Sequence, residues 1–161
     1  MIKVSFNNDS YKKVERFNDK ATIVTLKGIV ELPDCLVYAM PKVIVDWLKL
    51  YPDLEIIYNG IGRITIISKG KTIRDDKDKD NPILAERIAE SKAKIKIYGF
   101  IINFISKYII AYNKILTGHK DAILSEHEEV PDSLCGLLFK YDGFFDKEKS
   151  HLRELIEQSC N

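Results

Sequence analysis

Helical periodicity is strongest in the middle of the chain, across residues 81–116. Asn81 is a favourable N-cap residue, and Pro82 suits the first helical position, where no backbone N–H is needed. The second half of the segment is almost entirely Ile, Phe, Tyr and Ala, and Gly118 is placed to end it. The pattern predicts a long central helix, either continuous or kinked near Gly99, that needs cover over most of its circumference.

Upstream of this helix, apolar and polar residues alternate as they do in half-buried strands. The strands that this alternation predicts cover residues 2–6, 14–17, 21–26, 54–58 and 63–68, and the third has a possible continuation past Gly28 over residues 29–32. Asn59-Gly60 lies between the last two and predicts a hairpin turn, because such pairs readily adopt positive φ. Pro41 opens a short helix that we expect to bury Trp47.

Downstream of the central helix, further helical segments are predicted at about 119–129, 131–140 and 146–158. Asp142-Gly143 predicts a turn before the last of them. Strands thus precede helices, which indicates an α+β fold with an N-terminal antiparallel sheet and a short helix, then the long central helix and C-terminal helices. A chain of 161 residues is expected to be a single domain, mainly β over 1–80 and helical over 81–161.

The apolar second half of the central helix also bears on assembly. In a chain of this length a second copy is a natural source of cover, so we expect a homo-oligomer that forms through the helical half. The uncharged run from Ile97 to Ser106 is too short to cross a bilayer, which argues against a membrane partner.

Composition limits the partners and the compartment. A net charge of +1 gives no overall attraction to nucleic acid, so we do not expect nucleic acid as a partner. The three cysteines, Cys35, Cys135 and Cys160, are far apart and show no C-x-x-C spacing, which is typical of free thiols in a reducing compartment. The expected location is the cytoplasm.

Motif searches favour structural interpretations over catalytic ones. Residues 68–72, SKGKT, resemble the end of a phosphate-binding loop but lack its first glycine, so we interpret them as a loop after a strand. Asp76-x-Asp78-x-Asp80 has calcium-loop spacing without the required glycine and final glutamate. The cluster around His119 and His127 does not match the ligand spacing of a metal site. Cys135, Asp142 and His151 do not match a thiol-protease signature. We therefore predict no enzyme, no metal and no cofactor.

The basic residues around the start of the central helix are a stronger candidate. Lys92 and Lys96 lie one helical turn apart on a narrow polar stripe, with Arg74 and Arg87 nearby in sequence. Such lysines commonly extend to water along an apolar surface. The alternative is that the lysines line a pocket between subunits and neutralise phosphates there. Arg74 and Arg87 would then supply further charge for the ligand, and Tyr98 or another nearby aromatic residue would supply a stacking surface.

A short resemblance supports the second interpretation. Residues 70–93, GKTIRDDKDKDNPILAERIAESKA, follow the pattern G-x-A-x-C-x-P-x-D-x-F-D-x-x-x-G-x-x-I-A-x-x-R-A that small phage proteins carry after a hairpin. The positions that match are Gly70, Asp78, Ile88, Ala89 and Ala93, and Thr72 takes the small position. The positions that depart are Arg74 for Cys, Asp76 for Pro, Asp80-Asn81 for Phe-Asp, Ala85 for Gly and Lys92 for Arg.

The layout is similar to that of the phage anti-Thoeris proteins, which sequester cyclic ADP-ribose-type signals. The resemblance implies a non-enzymatic, oligomeric binder that holds a phosphorylated nucleotide with basic residues of the helix and so serves immune evasion. Lys92 would take the place of the family's arginine without its bidentate fork. The alternative function is an oligomeric protein-interaction module whose interface is helix 97–116 and which takes no small-molecule ligand.

Overall fold

The computed structural model describes residues 3–6, 12–17, 20–32, 41–74, 81–118 and 129–160. Its strands are β1 (Lys3–Phe6), β2 (Lys13–Phe17), β3 (Ala21–Glu31), β4 (Glu55–Tyr58) and β5 (Arg63–Ile73). Its helices are α1 (Pro41–Leu48), α2 (Pro82–Gly118) and α3 (Glu129–Cys160). The antiparallel strands and short helix come before the two long helices, which confirms the predicted α+β class.

The long strands β3 and β5 form the centre of a five-stranded antiparallel sheet. On its other edge β3 pairs with β1 through residues 28–31 and with β2 through residues 21–25, so β1 and β2 share that edge. On the far side of β5, β4 covers only residues 64–67. Residues 68–73 of β5 therefore have no neighbouring strand on that edge within the described part of the chain.

Side chains of the central strands alternate between two unlike faces. On β5, Ile64 and Ile66 are fully buried, whereas Lys69 and Lys71 are exposed. Gly70 and its cross-strand neighbour Val24 belong to the buried face. The strand continues well past the predicted end at residue 68, because β3 provides a hydrogen-bonding partner along its whole length.

The β4–β5 hairpin forms at the predicted position. Gly60 and Gly62 have φ values of 76° and 93°, which L side chains rarely adopt. The Asn59 side-chain oxygen accepts hydrogen bonds from the backbone N–H groups of Ile61 and Arg63 at 3.1 and 2.9 Å. The turn chemistry that the sequence predicted is therefore confirmed.

Helix α2 begins at its predicted cap. The Asn81 side-chain oxygen accepts a hydrogen bond from the backbone N–H of Leu84 at 3.0 Å, as an N-cap residue should. The helix is 37 residues long and continuous through Gly99, so of the two forms predicted the unbroken one is observed. Among the described residues no helix is long and apolar enough to cross a membrane.

The apolar part of α2 is covered by its own chain. Phe100 and Phe104 are each 1% exposed. Trp47 of α1 packs edge-on against Phe104 at 5.8 Å between ring centroids, and Tyr51 packs against Phe100 at 4.8 Å. The sheet, α1 and α3 therefore cover the described core positions of this part of α2, and a homo-oligomer through residues 97–116 stays a prediction.

Helix α3 runs without interruption from Glu129 to Cys160. The predicted turn at Asp142-Gly143 is therefore wrong, as is the break between two C-terminal helices. A glycine inside a helix costs about 1 kcal/mol relative to alanine, whereas burying an aromatic side chain contributes about 1.5–3 kcal/mol. Tyr141, 5% exposed and 6.3 Å from the Tyr98 ring, supplies that burial. The helix predicted at 119–129 lies almost wholly outside the described residues.

A cluster of ion pairs joins the N-terminal strands to α2. Lys12 Nζ lies 2.8 Å from Glu86 and 2.7 Å from Glu90, and Lys94 Nζ lies 2.8 Å from Glu90. Burial raises the pKa of Glu90, but hydrogen bonds from both lysines outweigh burial and hold that pKa below its usual value. Hydrogen bonds to Glu86 and Glu90 raise the pKa of Lys12. A lowered carboxyl pKa means that the cluster stabilises the fold fully above about pH 4.3 and is lost as the pH falls through the folded-state pKa.

Candidate anion-binding groove

The candidate site is built where α2 crosses β5 at very close range. A Cβ atom on Gly70 would lie 1.8 Å from the carbonyl oxygen of Ala89 and 2.7 Å from the backbone nitrogen of Ala93. Both alanines are fully buried. The Ser68 hydroxyl donates a hydrogen bond to the Ala93 carbonyl oxygen at 3.0 Å. These small side chains let the helix backbone contact the strand backbone directly.

Lys92 and Lys96 extend from that helix to the open edge of β5. Lys92 Nζ donates to the Lys71 carbonyl oxygen at 3.1 Å, and Lys96 Nζ donates to the Lys69 carbonyl oxygen at 2.9 Å. Four residues of helix rise about 6 Å, and two residues of strand span about 6.8 Å. The spacing of Lys92 and Lys96 along α2 therefore matches the spacing of the two carbonyl groups along β5. The lysines take hydrogen bonds that a neighbouring strand would otherwise make.

A groove of about 340 Å³ lies along this edge and reaches α3. The residues that line it are Lys69, Gly70, Lys71, Lys92, Ile95, Lys96 and Leu152. Among the described residues that line it, none is acidic and none is aromatic. The groove therefore combines an aliphatic surface from Ile95 and Leu152 with the two ammonium groups of α2, an arrangement suited to an anion.

The structure divides the five predicted ligand-binding residues into two groups. Lys92 and Lys96 line the groove. Arg87 is exposed but lies about 140° around the helix from Lys92. Arg74 follows the end of β5, where its backbone N–H donates to the Lys20 carbonyl oxygen at 2.7 Å. Tyr98 packs towards α3, so it offers no stacking surface in this groove.

Sequence analysis missed the contributions of β5 and α3 to the site. The edge carbonyls of Lys69 and Lys71 were assigned to a loop, although the exposed–buried alternation across residues 68–72 is a strand signal. Leu152 comes from α3, 56 positions after Lys96 in the sequence. Nothing in the local pattern relates it to the groove, since only the packing of α3 on α2 brings it there.

Most of the matched positions of residues 70–93 that the structure describes have a packing role. Gly70 gives the close approach, and Ala89 and Ala93 receive it. Ile88 is 4% exposed. These contacts account for the shared small and apolar residues without a ligand, whereas Lys92, which departs from the pattern, lines the groove with its charged side chain.

The remaining motif interpretations are settled by position. Residues 68–72 lie inside β5, so the interpretation as a loop is wrong and a phosphate-binding loop is excluded. Cys135 and His151 both lie on α3, about 24 Å apart along its axis, which rules out a thiol triad. The carboxylates of 76–80 and the histidines of 119–127 lie outside the described residues. Within the described ranges, no group of three or more His, Cys, Asp or Glu residues could hold a metal ion.

Comparisons of this chain with family models, with curated proteins and with solved structures found no match. The resemblance of residues 70–93 to phage proteins therefore stays a prediction. What the chain does must be argued from the groove itself.

Proposed function

We propose that this protein is a non-enzymatic binder that sequesters an anionic, nucleotide-like ligand in the groove between β5, α2 and α3. The observation that carries the proposal is the pair of ammonium groups, Lys92 and Lys96, fixed side by side on an edge where the described lining residues include no acid. An immune signalling nucleotide is the ligand that the phage resemblance implies, and sequestering it would serve immune evasion.

The fixed lysines are suited to this task on physical grounds. An ammonium group has three donors, and each of these lysines uses one on a β5 carbonyl, which leaves two for a ligand. Because the carbonyl already holds the side chain, less conformational entropy is lost when an anion binds. Partial burial of Lys92 also reduces the screening of its charge by water.

The direct test is thermal unfolding followed by the fluorescence of Trp47, the single tryptophan, with mono-, cyclic and ADP-ribose-type nucleotides. A ligand at 100 times its dissociation constant stabilises the folded state by about 2.7 kcal/mol. The proposal requires a selective rise in Tm and recovery of the ligand chemically unchanged. A ligand recovered in altered form would make the protein an enzyme and refute the binding role.

A matched pair of variants locates the site. The double substitution Lys92→Gln/Lys96→Gln should weaken binding at least about tenfold, measured by calorimetry at a temperature where each variant is folded. The control Lys49→Gln/Lys147→Gln removes the same charge from exposed positions outside the groove and should leave affinity within about twofold. Equal losses in the two variants would mean a general charge effect and no groove site.

Arg87 separates the groove from the site that the sequence predicted. It is exposed and does not line the groove. We therefore expect Arg87→Gln to leave nucleotide affinity unchanged, whereas a site along the helix start would lose affinity.

A protein-interaction module remains the second candidate, with a different surface from the one predicted. In the described part of the predicted interface on α2 the side chains of Phe100 and Phe104 are buried, but Phe139 on α3 is 75% exposed. If this role is correct, Phe139→Ser should reduce a concentration-dependent increase in mass measured by sedimentation. A monomeric mass at all concentrations, for the unmodified protein as well as for Phe139→Ser, would refute self-association.

A further inference from the structure

The open edge of β5 has a defined hydrogen-bonding polarity. In an antiparallel strand the N–H and C=O groups of one residue point to the same side, and the side alternates along the strand. Arg74 donates its backbone N–H to the Lys20 carbonyl oxygen, on the β3 side of the strand. The Arg63 carbonyl oxygen accepts from the backbone N–H of Asn59, on the β4 side. The backbone N–H and C=O groups of even-numbered residues of β5 therefore point to β3, and those of odd-numbered residues point to the opposite edge.

The backbone N–H groups of Lys69 and Lys71 consequently point to the part of that edge which no described strand covers. The carbonyl oxygens of the same two residues point there as well, which their bonds with Lys96 and Lys92 confirm. At residues 69 and 71 the two lysines thus take the carbonyl acceptors of this edge and leave its N–H donors. Over this stretch the described residues offer two N–H groups and two ammonium groups.

The geometry points to a two-point anion cradle on this edge, in which each anionic group is held by one backbone N–H and one ammonium group. One point combines Lys71 N–H with Lys92, and the other combines Lys69 N–H with Lys96. Two residues of strand separate the points by about 6.8 Å. The inference rests on the proposed function and makes it more specific, because it requires two separate phosphoryl-type groups on one ligand.

The rest of the groove determines what kind of linker can join the two anionic groups of a ligand. Ile95 and Leu152 offer an aliphatic surface, and the described lining residues include no aromatic ring. A ligand is therefore recognised by its two charged groups and by the length of the linker between them. The edge does not suit an added strand, since a strand needs acceptors as well as donors.

Alkane-α,ω-bisphosphonates measure this spacing directly. We expect calorimetry of the full chain with the series from methylene- to hexane-1,6-bisphosphonate to show an optimum at the propane or butane linker. The best linker should bind about 10²-fold tighter than methylphosphonate, because the second contact becomes intramolecular. Equal affinity for methylphosphonate and every bisphosphonate would overturn the cradle and leave the proposed function standing. Failure of bisphosphonates and nucleotides alike would overturn both.

Hydrogen exchange tests the backbone donors without any substitution. In the free protein the amides of Lys69 and Lys71 should exchange faster than those of Ser68, Gly70 and Thr72, and butane-1,4-bisphosphonate should slow both. Equally slow exchange of all five amides without ligand would show that the donors are already bonded and would overturn the inference.

Lys71→Pro then removes one edge N–H at a position where proline is tolerated, and Lys71→Ala removes the same side chain but keeps the donor. The proline variant should lose the preference for two-point ligands, while the alanine variant keeps it. Retention of the preference in a folded proline variant would overturn the role of the N–H group.

Discussion

The contact between Gly70 and α2 makes a quantitative prediction. In Gly70→Ala the new Cβ atom would lie 1.8 Å from the Ala89 carbonyl oxygen and 2.8 Å from the Ala89 carbonyl carbon. Both atoms belong to the helix backbone, so no side-chain rotation can relieve the overlap. The helix and the strand must move apart until the first distance reaches at least 3.0 Å, the practical limit for a Cβ contact.

Two opposing effects set the magnitude. Replacing glycine by alanine where both are tolerated stabilises a protein by about 0.4–1 kcal/mol, because the unfolded chain has fewer conformations to lose. Added volume in a packed core costs about 1–3 kcal/mol, and more where backbone has to move. The overlap at Gly70 is with backbone on several sides, so we expect a net loss of about 3 kcal/mol. That corresponds to a fall in Tm of about 6–12 °C for a chain of this size.

The matched control is Gly143→Ala in α3. A Cβ atom at Gly143 meets nothing within 4 Å, and positive φ among the described glycines is found only at Gly60 and Gly62. This variant should therefore gain up to about 1 kcal/mol in urea unfolding followed by Trp47 fluorescence. Equal stability of the Gly70 and Gly143 variants would refute the close approach. A loss of stability in Gly143→Ala would support the turn that the sequence predicted there.

Three further changes probe the rest of the fold. Glu90→Gln should lower the free energy of unfolding by about 1 kcal/mol at pH 7 and reduce the loss of stability below about pH 4.3. Urea unfolding across pH measures both effects, and a pH profile identical to that of the unmodified protein would exclude a contribution of the lowered Glu90 pKa to stability. Phe104→Ala should cost about 3–5 kcal/mol and shift the emission of Trp47, whereas a mild effect would mean that this part of α2 is not core. Asn81→Ala should cost about 1 kcal/mol in the same assay through loss of the helix cap, and no loss would show that the cap bond is not formed.

The parts of the fold that follow from local chemistry were predictable. The Asn59-Gly60 turn requires positive φ, and Asn81 caps α2 with its own side chain, so a few adjacent residues determine each feature. The continuation of β3 past Gly28 was indicated by the apolar residues that follow, and it is observed. In the turn and the cap the decisive interactions join residues close together in sequence.

The features that depend on distant contacts were not predictable. Asp142-Gly143 carries a turn signature, yet α3 passes through it because Tyr141 is buried against Tyr98. The apolar circumference of α2 predicted cover but could not identify its source, which at the described core positions includes the sheet, α1 and α3. Within the site, Lys92 and Lys96 were found from the polar stripe, whereas the carbonyls that hold them required knowledge that β5 continues beyond its partner β4.

The role of Lys92 and Lys96 can be separated from simple protection of a strand edge. An exposed edge invites pairing with other chains, and lysines on it are a common protection. Protection needs only donors for the two carbonyls, and a neutral glutamine can supply them. Anion binding needs the charge as well. If Lys92→Gln/Lys96→Gln keeps its stability and solubility but loses its phosphonate affinity, the charge serves a ligand. If it aggregates, and phosphonates never bound the unmodified protein, the lysines serve the sheet alone.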